Sequence, residues 1–347
     1  MLAFGSAAPW FRAPTHSYES FNFSSVGGRY VLMVFAPSDP QGRAAALSLV
    51  AGRATIYADH WLAAFVVLRD PAAHAACEES RGLRYVLDAD GAVARRYGAL
   101  QADGTETPGW TLLDPNMRAM ASGAIGEARR LYGILDALPP VDDHAGATLH
   151  APVLVVPRVF EPEICRRLIA MYQAHGGTPS GVMRDVGGRT VGVMDDTKRR
   201  RDALVEDEDL RAVLRTRIER SLIPELKKAF QFRATRLERY LVACYDAADG
   251  GYFRAHRDDT TLGTAHRRFA CSINLNAEEF EGGDLRFPEF GRRTYRPPTG
   301  GAVIFSCSLL HEATPVTKGV RYAFLPFFYD EAAEKVREAN AASLTSA

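Results

Sequence analysis

Tyr252-Phe253-Arg254-Ala255-His256-Arg257-Asp258, with His311 standing 53 residues beyond Asp258, is the stretch on which the reading of this 347-residue chain turns. In extended backbone, residues two apart share a face, so His256 and Asp258 can approach one ion together. Two imidazoles and one carboxylate on one side, with the remaining positions open, form a donor set suited to Fe(II) that has to admit further ligands. The surroundings fit such a strand-borne site. Everything after Thr235 reads as short apolar runs separated by Gly, Pro, Asp and Asn, the pattern of an antiparallel sandwich of the jelly-roll type.

Ten residues after His311, Arg321 opens the apolar run Tyr322-Ala323-Phe324-Leu325-Pro326-Phe327-Phe328-Tyr329. A guanidinium on a buried strand requires an anionic partner, because an unpaired buried charge costs several kcal/mol. A dicarboxylic acid gripped bidentately would serve, and so would an Asp or Glu of the chain itself. By residue type, His266 and Asp259 are alternative metal ligands, but His266 sits in the polar run Thr260 to Arg268, which reads as a loop. The basic run Lys198-Arg199-Arg200-Arg201 follows the Gly-rich Gly187-Gly188-Arg189 and has two readings, a solvated helix start or a lid contacting an acidic substrate.

Working outward, Cys165, Leu168, Ile169 and Tyr172 recur at helical spacing after an apolar strand at Ala151 to Pro157. A second helical stretch spans Asp207 to Phe230 and is bent or broken at Pro224. Upstream, Leu138-Pro139-Pro140-Val141-Asp142-Asp143-His144-Ala145-Gly146 has the composition of an interdomain connection. At roughly 150 residues per domain the length itself calls for about two. The expected division is therefore 1–138, a linker at 139–150, a second domain at 151–330 with its core at 237–330, and an Ala-rich tail at 331–347. The first part alternates buried strands (Tyr30 to Phe35, Phe65 to Leu68) with helical runs (Arg43 to Val50, and Pro71 to Arg81 with Asp70 as cap), a βαβ pattern around a parallel or mixed sheet.

Lys plus Arg and Asp plus Glu are equal at 42 each, which argues against a nucleic-acid-binding or polybasic membrane surface and for a small or peptide-sized partner. Five scattered cysteines (Cys77, Cys165, Cys244, Cys271, Cys307) without a close pair read as reduced thiols. No apolar run approaches the roughly 20 residues needed to span a bilayer, and the first residues lack the pattern of a secretory signal, so the expectation is a soluble cytoplasmic protein.

Two resemblances sharpen these expectations. Gly5-Ser6-Ala7-Ala8-Pro9-Trp10-Phe11, the stretch Gly82 to Gly98, and Thr107 to Pro115 resemble the peroxiredoxin branch of the thioredoxin fold over about residues 1 to 138. That family places its peroxide-reducing cysteine at a helix start, where this chain reads Ala36-Pro37-Ser38-Asp39-Pro40-Gln41-Gly42-Arg43-Ala44, and Cys77, expected on the later helix, lies elsewhere. The resemblance thus implies a redox-inactive scaffold, a dimer surface, or a module that engages a protein partner. Residues Tyr240 to Asp330 resemble the prolyl 4-hydroxylase branch of the 2-oxoglutarate and Fe(II)-dependent dioxygenases. The similarity is carried by Leu241 to Tyr245, Gly250-Gly251-Tyr252, the hairpin Glu281-Gly282-Gly283-Asp284-Leu285, and His311 to Tyr322.

By that resemblance His256, Asp258 and His311 would ligate iron, Arg321 would pair with the distal carboxylate of 2-oxoglutarate, and Tyr245 would hydrogen-bond the co-substrate. Asn274 stands where some relatives, including hydroxylases of hypoxia-inducible factor, carry a second co-substrate tyrosine; an amide can still donate there. The implied fold is an α/β thioredoxin-like domain followed by an α+β double-stranded β-helix (jelly-roll) domain. The implied activity is hydroxylation of an aliphatic C–H of peptidyl or free proline with O2, releasing succinate and CO2, with ascorbate as reductant. A small-molecule or carrier-bound amino-acid hydroxylase and a non-catalytic interaction protein are the competing readings.

Overall fold

The computed structural model describes residues 1–343 in two compact units, residues 1–150 with 288–292, and residues 151–287 with 293–343. In the first unit, strand β1 (Tyr30–Phe35) is followed by helix α1 (Pro40–Ala51), β2 (Leu62–Leu68), β3 (Leu83–Leu87), β4 (Gly109–Leu113), β5 (Ala119–Ala124) and α2 (Ala128–Asp136). The sheet order is β3-β2-β1-β4-β5, with β1–β2 and β2–β3 parallel and the other two pairings antiparallel. All six residues of β1 are buried, because successive side chains enter separate cores on the two faces. Val31, Met33 and Phe35 go to one core, and Tyr30, Leu32 and Val34 to the other.

Three sequence expectations change here. The helix capped by Asp70 covers only Pro71–Ala75, so Cys77 lies beyond it; Glu79 is drawn away to accept from Ser17 Oγ at 2.6 Å and from the Tyr85 amide at 3.3 Å. The region read as a linker is partly core, since Val141 packs beneath the sheet and the Pro139 carbonyl accepts from the Tyr30 hydroxyl at 2.9 Å. Finally, the second domain is interrupted, because Pro288–Arg292 groups with the first unit.

The second unit contains α3 (Pro162–His175), the hairpin β6 (Val182–Val186) and β7 (Arg189–Val193), β8 (Lys198–Arg199), β9 (Arg201–Leu204), α4 (Glu208–Ser221) and α5 (Ile223–Phe230). Then come β10 (Leu241–Asp246), β11 (Tyr252–His256), β12 (Phe269–Asn274), β13 (Leu285–Arg286), β14 (Thr294–Tyr295), β15 (Ala302–Ser306), β16 (His311–Ala313) and β17 (Val320–Phe324). Pro224 starts α5 in its first turn, which splits the expected second helix at Leu222. In chain order the strands from β10 pass back and forth between two antiparallel sheets, with the consecutive β13 and β14 both in the smaller. Neighbours run β10-β17-β12-β15 in the larger and β11-β16-β13-β14 in the smaller. That winding is a double-stranded β-helix, or jelly roll.

Helices α3 to α5 cover one face of the larger sheet, where Leu168, Tyr172, Leu214 and Leu226 meet Val242, Cys244, Ile273 and Phe324. The period of two then sends the intervening residues, among them Tyr245, Ser272, Asn274 and Arg321, to the opposite face. The tail forms a helix, Glu331–Ala339, capped by the Asp330 carboxylate; the end of the tail expectation, 344–347, lies outside the described residues. Among the described residues no helix is long and apolar enough to cross a membrane.

Candidate metal and co-substrate site

Pairing of β11 with β16 puts His256 directly across from His311, with a bulge between Phe253 and His256 that re-aims the end of the strand. Asp258 follows the strand and is pinned by its own amide, which donates to the Cys307 carbonyl at 2.9 Å. His256 Nε2 lies 3.5 Å from one Asp258 oxygen and His311 Nε2 lies 3.3 Å from the other. Ligand atoms from all three residues fall within 4.8 Å of one another, the one such group among the described residues. His256 Nδ1 donates to the Arg254 carbonyl at 2.8 Å and His311 Nδ1 to the Leu309 carbonyl at 3.0 Å. Because a carbonyl can only accept, both rings carry a proton on Nδ1 and turn Nε2 toward Asp258.

Aromatic rings close the site around these ligands. Phe253 stacks on His256 with ring centroids 3.4 Å apart, and Phe305 lies 4.5 Å from His311. Burial, and then the neighbouring His311, push His256 down to about 4, so its ring is neutral at pH 7. Burial alone would raise the Asp258 carboxyl, but His311 and His256 hold it well below the ordinary carboxylate range. Two imidazole nitrogens and one carboxylate, already converged, fit a divalent transition metal that keeps open coordination positions.

On the facing sheet, Arg321 is the register partner of Tyr245 and is only 2% exposed. Its Nη2 donates to Ser272 Oγ at 2.9 Å and to Asn274 Oδ1 at 3.5 Å, while its Nε and Nη1 have no partner. Asp284, the carboxylate that acts on it electrostatically, is itself bonded to Arg296 at 2.5 Å. Tyr245 lies under the guanidinium, with Cζ 5.1 Å from the ring centroid. Gly283, in the Gly-Gly hairpin, holds φ at +67°, and a Cβ there would stand 3.2 Å from Arg321 Cδ and 2.8 Å from Val316. A buried cation with two unused N–H groups fits a carboxylate supplied from outside the chain.

The structure brings His256, Asp258 and His311 together, and it aligns Tyr245, Asn274 and Arg321 on the facing sheet. Asn274 spends its amide N–H on the Pro297 carbonyl at 2.9 Å and turns its oxygen to Arg321, so here it orients the guanidinium. His266 is bound elsewhere, donating to Glu238 at 2.6 Å, and Asp259 accepts from Ser308 Oγ. Sequence reasoning missed Ser272, which the alternation within β12 would have exposed, and Phe253, which alternation alone sets on the face opposite His256 and the bulge in β11 brings back to it. It also misread Lys198 to Arg201, which forms two strands in place of a helix start, with Lys198 and Arg200 buried.

The site is thus a metal-binding donor set and an anion-binding arginine on facing sheets of a jelly roll. No family model matches the chain. It is similar to proteins named PKHD-type hydroxylase: one from Synechococcus sp. at 28% identity over 117 residues (31% of this chain, 51% of the relative), and one from Thioalkalivibrio sulfidiphilus at 33% over 98 residues (26% and 44%). A third, from Pseudomonas fluorescens, is 35% identical over 99 residues (26% and 42%). The chain spans about half the length of the curated relatives it matches. Looser likeness extends to two solved structures. One is a prolyl hydroxylase from Trichoplax adhaerens in complex with a hypoxia inducible factor peptide fragment (TM-score 0.42, 15% identity, 62% of this chain and 96% of that one). The other is a Pseudomonas putida prolyl-4-hydroxylase (TM-score 0.38, 20% identity, 57% and 99%).

Proposed function

We propose that the chain is a dioxygenase that uses Fe(II), 2-oxoglutarate and O2 to hydroxylate an aliphatic C–H, that of peptidyl or free proline, with release of succinate and CO2. The observation that carries this reading is Arg321, a buried guanidinium with two unused N–H groups beside a converged His-Asp-His set. His256, Asp258 and His311 would hold the iron, and Arg321 with Tyr245 would hold the distal carboxylate of 2-oxoglutarate. When bound, the iron supplies O2 activation coupled to oxidative decarboxylation of the co-substrate.

The remaining work falls to the chain. The two carbonyl-bonded imidazoles turn their Nε2 atoms to the site, and Asp258 presents a carboxylate without a proton to shed. Tyr245 accepts from Arg200 Nη1 at 3.5 Å, which leaves its own hydroxyl proton to donate to a carboxylate. Phe253 and Phe305 keep water from the histidine rings, and Asn274 and Ser272 hold Arg321 in place. Ascorbate is the reductant expected to sustain turnover. The name of the curated relatives supports hydroxylation, and proline follows from the resemblance of residues 240–330 alone.

For the first unit we propose a thioredoxin-like, redox-inactive scaffold that forms a homodimer or docks a protein partner, in a cytoplasmic protein. The strand order β3-β2-β1-β4-β5 and the cysteine-free turn after β1 support it.

Anaerobic addition of Fe(II) and 2-oxoglutarate to the full chain tests the main reading. A visible charge-transfer band is expected, and it should vanish in His311→Ala; its absence from the wild type sinks the proposal. Incubation with peptide and amino-acid pools under O2 should then yield succinate and a product heavier by one oxygen.

A further inference from the structure

Arg200 stands where the chain crosses between the two sheets. Lys198 pairs with Phe253 on the smaller sheet, and Arg201 pairs with Cys244 on the larger. The Arg200 side chain is 4% exposed, and its Cζ is 5.9 Å from the Tyr245 ring centroid and 6.0 Å from that of Phe253. It thus shares the Tyr245 ring with Arg321 and the Phe253 ring with His256. Lys198 Nζ lies over the same Phe253 ring at 5.0 Å, held by Ser180 Oγ at 2.7 Å and the Gly181 carbonyl at 2.8 Å.

The local charge is unbalanced. Asp202 bonds Arg200 Nη2 at 2.6 Å and also lies 3.7 Å from Arg239, so one carboxylate serves two guanidiniums, and Arg200 Nε has no partner. Of the other carboxylates nearby, Glu238 is taken by His266 and Arg267, and Asp258, which also acts on Lys198, belongs to the metal-binding set. Burial, reinforced by Arg200, pushes the Lys198 ammonium down to about 6, so at pH 7 Lys198 is mostly neutral in the empty site and a guest carboxylate beside it would favour the charged form.

Resting on the function proposed above, we infer that Arg200, with Lys198 beside it, is a second carboxylate-binding site separate from Arg321, and that the substrate to be hydroxylated carries a carboxylate. A guest carboxylate would take the unused Arg200 Nε–H and balance the excess charge, and it would be held on the metal side of Tyr245. This favours a free amino acid or other small acid, or an acidic or C-terminal residue of a peptide, over a neutral internal segment.

The test uses the full chain loaded with Mn(II) and saturated with N-oxalylglycine, a 2-oxoglutarate analogue that is not turned over, and reads relaxation of 13C-labelled acetate by the paramagnetic ion. Acetate should relax faster in the complex while methyl acetate does not, and the enhancement should fall at least about fivefold in Arg200→Met and recover in part in Arg200→Lys. Lys198→Met, which leaves the Arg200–Asp202 pair intact, should lower it about threefold and decides the matter if Arg200→Met does not fold. Equal enhancement in all variants overturns the inference and leaves Arg200 a counter-ion to Asp202. Displacement of acetate by N-oxalylglycine overturns it in favour of a co-substrate role. If N-oxalylglycine fails to bind the wild type while acetate still depends on Arg200, the oxygenase reading falls and the second carboxylate site stands.

Discussion

Each unit contains an arginine near a strand end, half-buried in the first and fully buried in the second, and the two are finished in different ways. In the first unit Arg69 meets Glu106 at 2.8 Å, and the same carboxylate accepts from the Ser38 amide at 2.9 Å and the Ser38 hydroxyl at 2.5 Å. Burial would raise Glu106, but Ser38 and Arg69 together pull it below its ordinary value. This cluster, in which the cation meets a carboxylate of its own chain and only Arg69 Nε is left without a partner, ties down the turn after β1. In the second unit Arg321 is more deeply buried and has only a hydroxyl and an amide oxygen as partners. A cation paired with a carboxylate of its own chain is an element of structure, whereas a buried one bonded only to neutral oxygens is a place for an anionic ligand.

The largest expected effect separates the units by metal. His311→Ala removes one of three ligands and should weaken Fe(II) binding by more than about 100-fold in anaerobic titration, with the unfolding midpoint of the first unit unmoved. Glu106→Gln should leave metal affinity untouched. Loss of metal binding in Glu106→Gln would break the comparison outright.

Next comes the co-substrate. Arg321→Met keeps the bulk of the stem and removes the charge, and it should weaken 2-oxoglutarate binding by about 30-fold or more, read from the concentration dependence of the charge-transfer band. Because the wild-type guanidinium has no carboxylate partner, this variant should be no less stable than wild type in urea. A substantial loss of stability would mean that Arg321 is paired within the chain after all.

How far the sequence alone led can be argued from the same residues. His256 and Asp258 were legible because a period of two makes neighbours of alternate residues, Arg321 because a cation in an apolar run is conspicuous, and His311, 53 residues beyond Asp258, gained its place from the resemblance. Tyr245 and Asn274 came only from the resemblance, and the bond that defines Asn274 reaches Pro297, 23 residues away. Lys198 to Arg201 could not be read locally, since a run of four basic residues looks solvated until its pairing with Phe253 and Cys244 is known. The helix after Asp70 was overextended for the same reason, because Glu79 is claimed by Ser17, 62 residues earlier.

A closed cluster within the second unit offers the sharpest control on pH. Glu238 accepts from His266 Nε2 and Arg267 Nη2, each at 2.6 Å. Burial would raise its pKa, but these two partners bring it down to about 2. A carboxyl with a depressed folded-state value contributes stability that is fully present above its unfolded value, about 4.5, and is lost as pH falls toward 2. The contribution at stake is about 3 kcal/mol. Urea unfolding of the second unit should therefore weaken steeply between pH 4.5 and 2.5 in the wild type, and less so in Glu238→Gln, which has no carboxylate to protonate. Parallel pH profiles for the two proteins would show that the cluster carries no such linkage.

The smallest effect concerns the first unit itself. Glu106→Gln keeps one accepting oxygen but loses the charge-assisted bonds from Arg69 and one of the two Ser38 bonds, at a cost of about 1–2 kcal/mol because the side chain is part-exposed. Denaturation of the full chain, followed through Trp110, which is fully buried in the first unit, reads that loss directly. Peroxide consumption should be nil in both proteins: Cys77 is the first unit's one thiol, it donates to the Ala73 carbonyl at 3.3 Å, and burial raises its pKa, the reverse of what a peroxide-reducing thiolate needs. Peroxide turnover abolished by Cys77→Ser would overturn the assignment of this unit as a scaffold, and with it the contrast between a cluster closed for structure and one left open for a ligand.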